Sequence, residues 1–456
     1  MYEYESYSLF SSFTVTSKVM DAQKITNGRP ASNQVRGGDF KELSEEILNS
    51  NKKALEWFVG FSEAESMFFI SNTGALNFRI KLHSDDRETL SWIQRLLSGL
   101  AGRTIGVIVD SSTYHESYYS IDKFKDIVEI IIPIFNKYYL TTSKYLDFSA
   151  LRCAADKKKV SYLAKRKLNH QELLDILSLK KNMNMKREQF NLLDLPKRPL
   201  TCHRLLGFIE GDGSLCLPNL IPTLVIKQHS KNKHFLLEIA EFLSNLPFQP
   251  SIGPQADFSI GSKPLPGCKA GVYTSDKTPT SSLYVADILQ LFYYILPFLK
   301  SLEFISRKAV DFTLWEAAVN LKALGYTTLP EGKQLLLEIS KHINNKRYTS
   351  NNVGEVIAYN LDQVKLLLSR PAIFDLTSGL SYKYLSDKVK TKKGGYVGYA
   401  VNVYDQGLLI KGSPFPSYTK AALSMGNINI STVISKKIDT NKLYKNRFRF
   451  ESVLVK

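Results

Sequence analysis

Apolar and polar positions along this chain follow one pattern that is written twice. WFVGFSEAESMFFI, beginning at Trp57, and LLGFIEGDGSLCL, beginning at Leu205, each read as an apolar helix that stops and feeds a strand. In each helix two small residues lie one turn apart, Gly60 with Ala64 and Gly207 with Gly211, and so share a face. Such a pair lets a second helix approach until the backbones nearly touch. After the first copy, residues 67–70 and 76–82 alternate around Asn72-Thr73-Gly74, a hairpin signal. Residues 86–99 take helical spacing, with Leu90, Ile93, Leu96 and Leu97 on one side. Residues 105–109 and 114–121 predict a second strand pair. Residues 126–140 predict an apolar helix broken at Pro133, and residues 143–154 a further helix.

The same order recurs after Thr201. Ile80-Lys81-Leu82-His83-Ser84 corresponds to Ile226-Lys227-Gln228-His229-Ser230, and residues 142–148 to residues 305–312 once one residue is allowed for. Residues 181–187 correspond to residues 341–347. Matched blocks in one order mark the tandem duplication of a domain of roughly 140 residues. The fold class is therefore α+β, with two pseudo-symmetric αββαββα repeats over residues 49–190 and 197–350. Residues 1–48 show no sustained periodicity and read as a poorly ordered arm. Residues 157–199, rich in Lys and Arg, read as a basic linker between the repeats.

Each duplicated helix closes on an acid, Glu65 in one and Asp212 in the other. Unsatisfied carbonyls make that end of a helix negative, so an acid there is misplaced by roughly 0.3–1 kcal/mol. Packing the helices on their small faces brings the two carboxylates together, where they repel. A divalent cation held between them relieves both penalties, and hard oxygen ligands suit Mg²⁺ or Mn²⁺. The bland alternative is a tight helix pair whose terminal acids are merely solvated.

These residues resemble the LAGLIDADG homing endonuclease family in its single-chain, two-motif form. Residues 205–213 match the signature closely and residues 58–66 more loosely, with Glu65 for the usual Asp and Ser66 for Gly. The resemblance implies a saddle-shaped, monomeric molecule that binds double-stranded DNA and cuts both strands across the minor groove. It implies metal ligands at Glu65 and Asp212. It also implies basic residues, Lys144 and Lys308, near the scissile phosphates, and a polar residue facing the metal-bound waters. Gln228 takes that last position, whereas the first repeat has Leu82, so a nicking enzyme stays open. Arg79, Lys81, Lys227 and Gln228 are candidates for the DNA-facing side of the sheets. A solvent-facing sheet blunted with cations is the plainer account of them. His83 and His229 read as groove-facing or surface residues, and Asp147 and Asp311 as residues that cap or brace a helix.

Composition narrows the partners. In 456 residues, 44% hydrophobic and 23% charged residues describe a folded protein, and a net charge of +17 with pI about 9.4 favours a polyanion. No apolar run is long enough to span a bilayer, so no membrane partner is expected. Cys153, Cys202, Cys216 and Cys268 are scattered and read as reduced packing residues. MYEYESYSLF opens with acids and lacks Arg, unlike a secretory or transit peptide, which suits an organelle-encoded mitochondrial protein.

Beyond the repeats, residues 365–456 have a different composition. Ser417 can cap a helix through Leu423, Gly426 can end it, and Asn429 or Ser431 can cap a second reaching Ile438. Two short helices around a Gly suit a helix-turn-helix. The block resembles the small modular domains appended to homing endonucleases, which would make Asn429, Ser431, Thr432, Ser435 and Lys436 DNA contacts. A purely structural hairpin is the alternative there. For the whole chain the alternatives are a group I intron RNA maturase and a non-catalytic DNA-binding regulator on a decayed scaffold.

Overall fold

The computed structural model describes residues 40–111, 113–184, 195–196, 198–247, 267–344, 359–370, 372–375, 383–384, 400–440 and 442–453. Most of the expected N-terminal arm lies outside them, as do Lys186, Arg187 and Lys197 of the basic linker. The described residues through Arg370 belong to one compact unit and those from Ala372 onward to a second.

The first unit contains the duplication. Its first motif helix, Lys52–Glu65, runs directly into β1 (Ser66–Ile70), which pairs with β2 (Leu76–His83). A helix at Arg87–Ala101 follows, then β3 (Val107–Ser111) and β4 (Glu116–Ile121). The sheet order is β1-β2-β4-β3, antiparallel throughout. The second motif helix, Cys202–Asp212, opens the same series. It leads to β5 (Gly213–Cys216), β6 (Thr223–His229), a helix at Lys233–Ser244, β7 (Gly271–Thr274) and β8 (Thr280–Val285). Their order is β5-β6-β8-β7. The two αββαββα repeats of the saddle expected from the sequence are thus present.

Alternation along the strands decides which face is core. Phe68, Phe78, Ile80, Tyr119 and Ile121 point inward and are buried, while Met67, Arg79, Lys81 and Val109 lie on the opposite face. Phe58 of the motif helix completes an aromatic cluster with Phe68, Phe78, Phe135 and Phe148, ring centroids 5.4–5.9 Å apart. At Gly106, φ of +65° turns the chain, so the third strand starts two residues later than its apolar pattern suggests.

Several expectations need correction. Pro133 does not break its helix: helical backbone continues from Phe124 to Lys137, widening to a π-turn at Ile127–Ile131 immediately before the proline's segment, Ile132–Lys137. Proline is tolerated there because the widened turn displaces the hydrogen-bond pattern it would otherwise interrupt. The second repeat does the same, with a π-turn at Leu291–Ile295 before Leu296–Lys300 and its Pro297. Residues 45–48, assigned to the arm, belong to a helix, Glu45–Ser50, whose Ser44 side chain accepts from the Ile47 amide. The helix Asp362–Leu368 buries Val364 and Leu367 within the first unit, so the second unit begins after it rather than at residue 365.

In the second unit, Ala400–Asp405 lies between Leu408–Leu409 and Phe448–Val453 in a three-stranded antiparallel sheet. Val401, Val403 and Phe450 pack with Ala421, Ala422 and Ile434 of two short helices, Tyr418–Ser424 and Ser431–Lys437. Ser417 caps the first as expected, and Gly426 follows it at φ +81°. Ser431 does not cap the second: it is the first helical residue, preceded by a short 3₁₀ turn at Ile428–Ile430. Two short helices are there, on a sheet that the sequence reading did not identify.

Candidate active site

The motif helices meet backbone to backbone. A Cβ added at Gly60 would lie 1.9 Å from the Arg204 carbonyl oxygen, and one at Gly207 would lie 2.1 Å from that of Trp57. At Gly211 it would meet the Ala64 Cβ at 2.3 Å and Glu65 Cγ at 3.3 Å. All four expected interface residues, Gly60, Ala64, Gly207 and Gly211, therefore stand at the crossing. The helices end side by side, which brings Glu65 and Asp212 together.

Electrostatics confirm that approach. Burial, then the neighbouring Asp212 carboxylate, pushes Glu65 up to about 7. Burial also raises Asp212, opposed by Lys144, by a hydrogen bond from Gln228 and by Lys308. Both lysines act on both acids. Two desolvated carboxylates with raised proton affinity gain from positive charge placed between them, and this donor set fits a hard divalent ion. Among the described residues no cluster of three or more His, Cys, Asp or Glu side chains is placed to hold a metal. The remaining oxygens of a site here would come from backbone, water or phosphate.

Lys144 and Lys308 are neither solvated nor free at helix starts. Each is half-buried, and its ammonium donates to the carbonyls closing its own repeat's motif helix. Lys144 Nζ reaches Ser62 O and Ala64 O at 3.0 Å, while Lys308 Nζ reaches Ile209 O at 3.0 Å, Gly211 O at 3.3 Å and Gly213 O. A cation at a helix C-terminus offsets the dipole that disfavours the adjacent acid. Burial depresses both lysines, against the pull of Glu63 on Lys144 and of Glu210 on Lys308.

Glu63 and Glu210, one residue before each small residue that precedes the terminal acid, were missed by the sequence reading. Their recurrence at matched positions was the available signal. Both are buried, and each fastens its helix to the loop before its own repeat's lysine. Glu63 accepts from the amides of Thr141 and Thr142 and from the Thr142 hydroxyl; Glu210 accepts from the amides of Ile305 and Ser306. Across the interface Glu63 pairs with Arg204 at 2.7 Å, whereas Glu210 accepts from Trp57 Nε1 at 2.7 Å. These contacts align Thr142 with Ser306 and Lys144 with Lys308, so the residue allowed for in the sequence alignment is not needed. Asp147 and Asp311 brace the turn after the following helix, accepting from the amides of Asn184 and Asn344 at 2.9 and 3.0 Å.

The remaining candidates divide by strand parity. Gln228 follows Ile226 on the inward side of β6, so it does not share a sheet face with Lys227. Its Nε2 donates to Asp212 Oδ2, which supports its expected place beside the acid and removes it from the groove-facing set. Lys227 is exposed. Lys81 is exposed but paired with Glu116 at 2.8 Å, and the Arg79 guanidinium lies 4.6 Å from the centre of the Tyr118 ring. His83 and His229 accept, through Nδ1, from the amides of Asp85 and Lys231, capping short turns. In the second unit Asn429, Thr432, Ser435 and Lys436 are exposed and Ser431 is half-buried.

Residues 58–155 match the sequence model of the LAGLIDADG endonuclease family. The chain is also 25% identical over 475 aligned positions to an uncharacterized mitochondrial protein, RF1, of Saccharomyces cerevisiae, covering 98% of this chain and 94% of that protein. The fold is similar to that of the LAGLIDADG homing endonuclease I-GzeII in complex with its DNA target, at 21% identity and TM-score 0.50, covering 64% of this chain and 99% of that one. It is similar, too, to I-SmaMI bound to an uncleaved DNA target in the presence of calcium ions, at 18% identity and TM-score 0.50, covering 64% and 98%. No helix among the described residues is long and apolar enough to cross a membrane.

Proposed function

We propose that this protein, residues 58–155 of which match the LAGLIDADG endonuclease model, is a site-specific DNA endonuclease that hydrolyses phosphodiester bonds in both strands of a long target. The observation that carries this reading is the convergence of two half-buried carboxylates, Glu65 and Asp212, at the abutting ends of the duplicated helices. Mg²⁺ or Mn²⁺ held by them would supply Lewis-acid polarisation of the phosphate and lower the pKa of bound water.

The chain's own residues provide the setting. Lys144 and Lys308 add positive charge under the acids and keep the helix-end carbonyls satisfied, so developing phosphate charge meets a preorganised field. Gln228 fixes the orientation of the Asp212 carboxylate. Around neutral pH, Glu65 carries a proton for part of the time, which a cation held there would displace. Lys227, Lys81 and Arg79 lie on the outer sheet faces, from which they can reach phosphates or bases. Thr432, Ser435 and Lys436 would add contacts from the second unit, which acts as an appended DNA-binding module. A monomer suffices, because both halves are in one chain. Mitochondrial residence agrees with the yeast relative's description, and an intron-encoded origin belongs to the same reading.

The test incubates the protein with Mg²⁺ and a plasmid library of intron-insertion junctions, alongside Asp212→Asn. Sequence-specific cutting that the variant lacks supports the nuclease. Specific binding to a structured group I intron RNA with no cutting of any plasmid would replace it with the maturase.

A further inference from the structure

The two acids are not supported alike. Asp212 Oδ2 accepts from Gln228 Nε2, Gln228 Oε1 accepts from Asn232 Nδ2 at 3.0 Å, and Asn232 Oδ1 accepts from the Ser143 amide at 2.9 Å. Ser143 immediately precedes Lys144, whose Nζ sits on the Ala64 carbonyl beside Glu65. An unbroken series of hydrogen bonds therefore runs from the acid of the second repeat to the backbone of Ser143, one residue before the lysine of the first.

The reverse direction has only its latter part. Asp86, the counterpart of Asn232, accepts from the Arg307 amide just before Lys308 at 3.2 Å, and Asp85 pairs with the Arg307 side chain. Leu82, however, stands where Gln228 does and has no polar group to offer Glu65. Each side-chain amide in the complete series donates and accepts in one orientation only, so displacing one end shifts the other.

We infer that Asn232 is a positioning residue. Through Gln228 and Ser143 it makes the placement of Lys144 depend on the position of Asp212, whereas Leu82 interrupts the matching hydrogen-bond series between Glu65 and Lys308. Its consequence for catalysis rests on the nuclease reading above: the strand served by Asp212 is cut first, and the strand served by Glu65 and Lys144 follows. The relay itself stands independently of that reading.

Hydrogen exchange on the full-length protein tests the relay without DNA. Asn232→Ala should speed exchange at the Ser143 amide about tenfold, the value of one hydrogen bond. Gln228→Leu, which does not touch Ser143, should speed it as well, and the matching change Leu82→Ala should leave exchange at the Arg307 amide unchanged. If Gln228→Leu leaves Ser143 exchange unaltered, Asn232 is only a local brace and the inference is overturned. Strand-labelled plasmid then tests the order of cutting. Nicked circles should precede linear DNA, and Asn232→Ala should accumulate them while Asn232→Gln partly restores the second cut. Equal cutting of both strands in wild type and variant would overturn the ordered scheme. Failure to cut any plasmid would sink the nuclease reading, leaving the exchange result to decide the relay.

Discussion

The two halves of the first unit share a backbone plan yet close their interface with different chemistry. Where the first half presents Trp57 the second presents Arg204, so one buried glutamate receives an indole N–H and the other a guanidinium. Where the second half supports its acid with Gln228 and Asn232, the first has Leu82 and Asp86. Duplication preserved what the helix crossing requires and allowed the facing polar groups to diverge. Backbone approach tolerates no substitute, whereas a buried carboxylate can be satisfied by any well-placed donor.

The most severe way to break the comparison is at its shared feature. Gly60→Leu places side-chain atoms on the Arg204 backbone, so the helices must separate; a loss of roughly 3 kcal/mol or more is expected in urea denaturation. Gly207→Leu should match it, because Trp57 O is just as close. Next come the clasps themselves. Glu63→Gln leaves a buried Arg204 without its counter-charge and should destabilise by about 3–5 kcal/mol. Glu210→Gln removes a carboxylate whose cross-interface partner is neutral, and should lose only about 1–3 kcal/mol by the same measurement.

Proton linkage sharpens the comparison of the terminal acids. Glu65 is raised from 4.5 to about 7, so between those values the folded state binds more protons than the unfolded state. Stability of the metal-free protein should therefore fall as pH rises from about 4.5 to about 7, by at most about 3 kcal/mol, and then level off. Thermal melts should show this fall, Glu65→Gln should flatten it, and added Ca²⁺ should reverse it. The smallest effect is expected on the sheet faces. Lys227→Ala should reduce the salt dependence of DNA binding by about one phosphate contact. Lys81→Ala should reduce it by less, since Glu116 already offsets that charge.

Much of this was legible in the chain. Small residues at helical spacing announced the crossing, and terminal acids at matched positions announced the site, because both depend on local periodicity. Glu63 and Glu210 were harder to interpret, since an acid inside an apolar run looks like an exposed face until the loop that buries it is known. The Asn232–Ser143 contact joins residues 89 positions apart on different repeats, so no local pattern could have indicated it. Lys144 and Lys308 were found by recurrence, but the helix-end carbonyls that they meet were not. A helix-start lysine is ordinarily hydrated, and only the neighbouring helix end reveals carbonyls waiting for it. Parity along β6 was available and should have separated Gln228 from Lys227.

The π-turns before Pro133 and Pro297 bear on the history of the molecule. Single wide turns are rare, and IVEII and LFYYI share little beyond their greasiness. Their appearance at equivalent points of both halves, each just ahead of a proline, fits an irregularity that was already present when the domain was duplicated. A backbone anomaly has here outlived most of the letters that once encoded it.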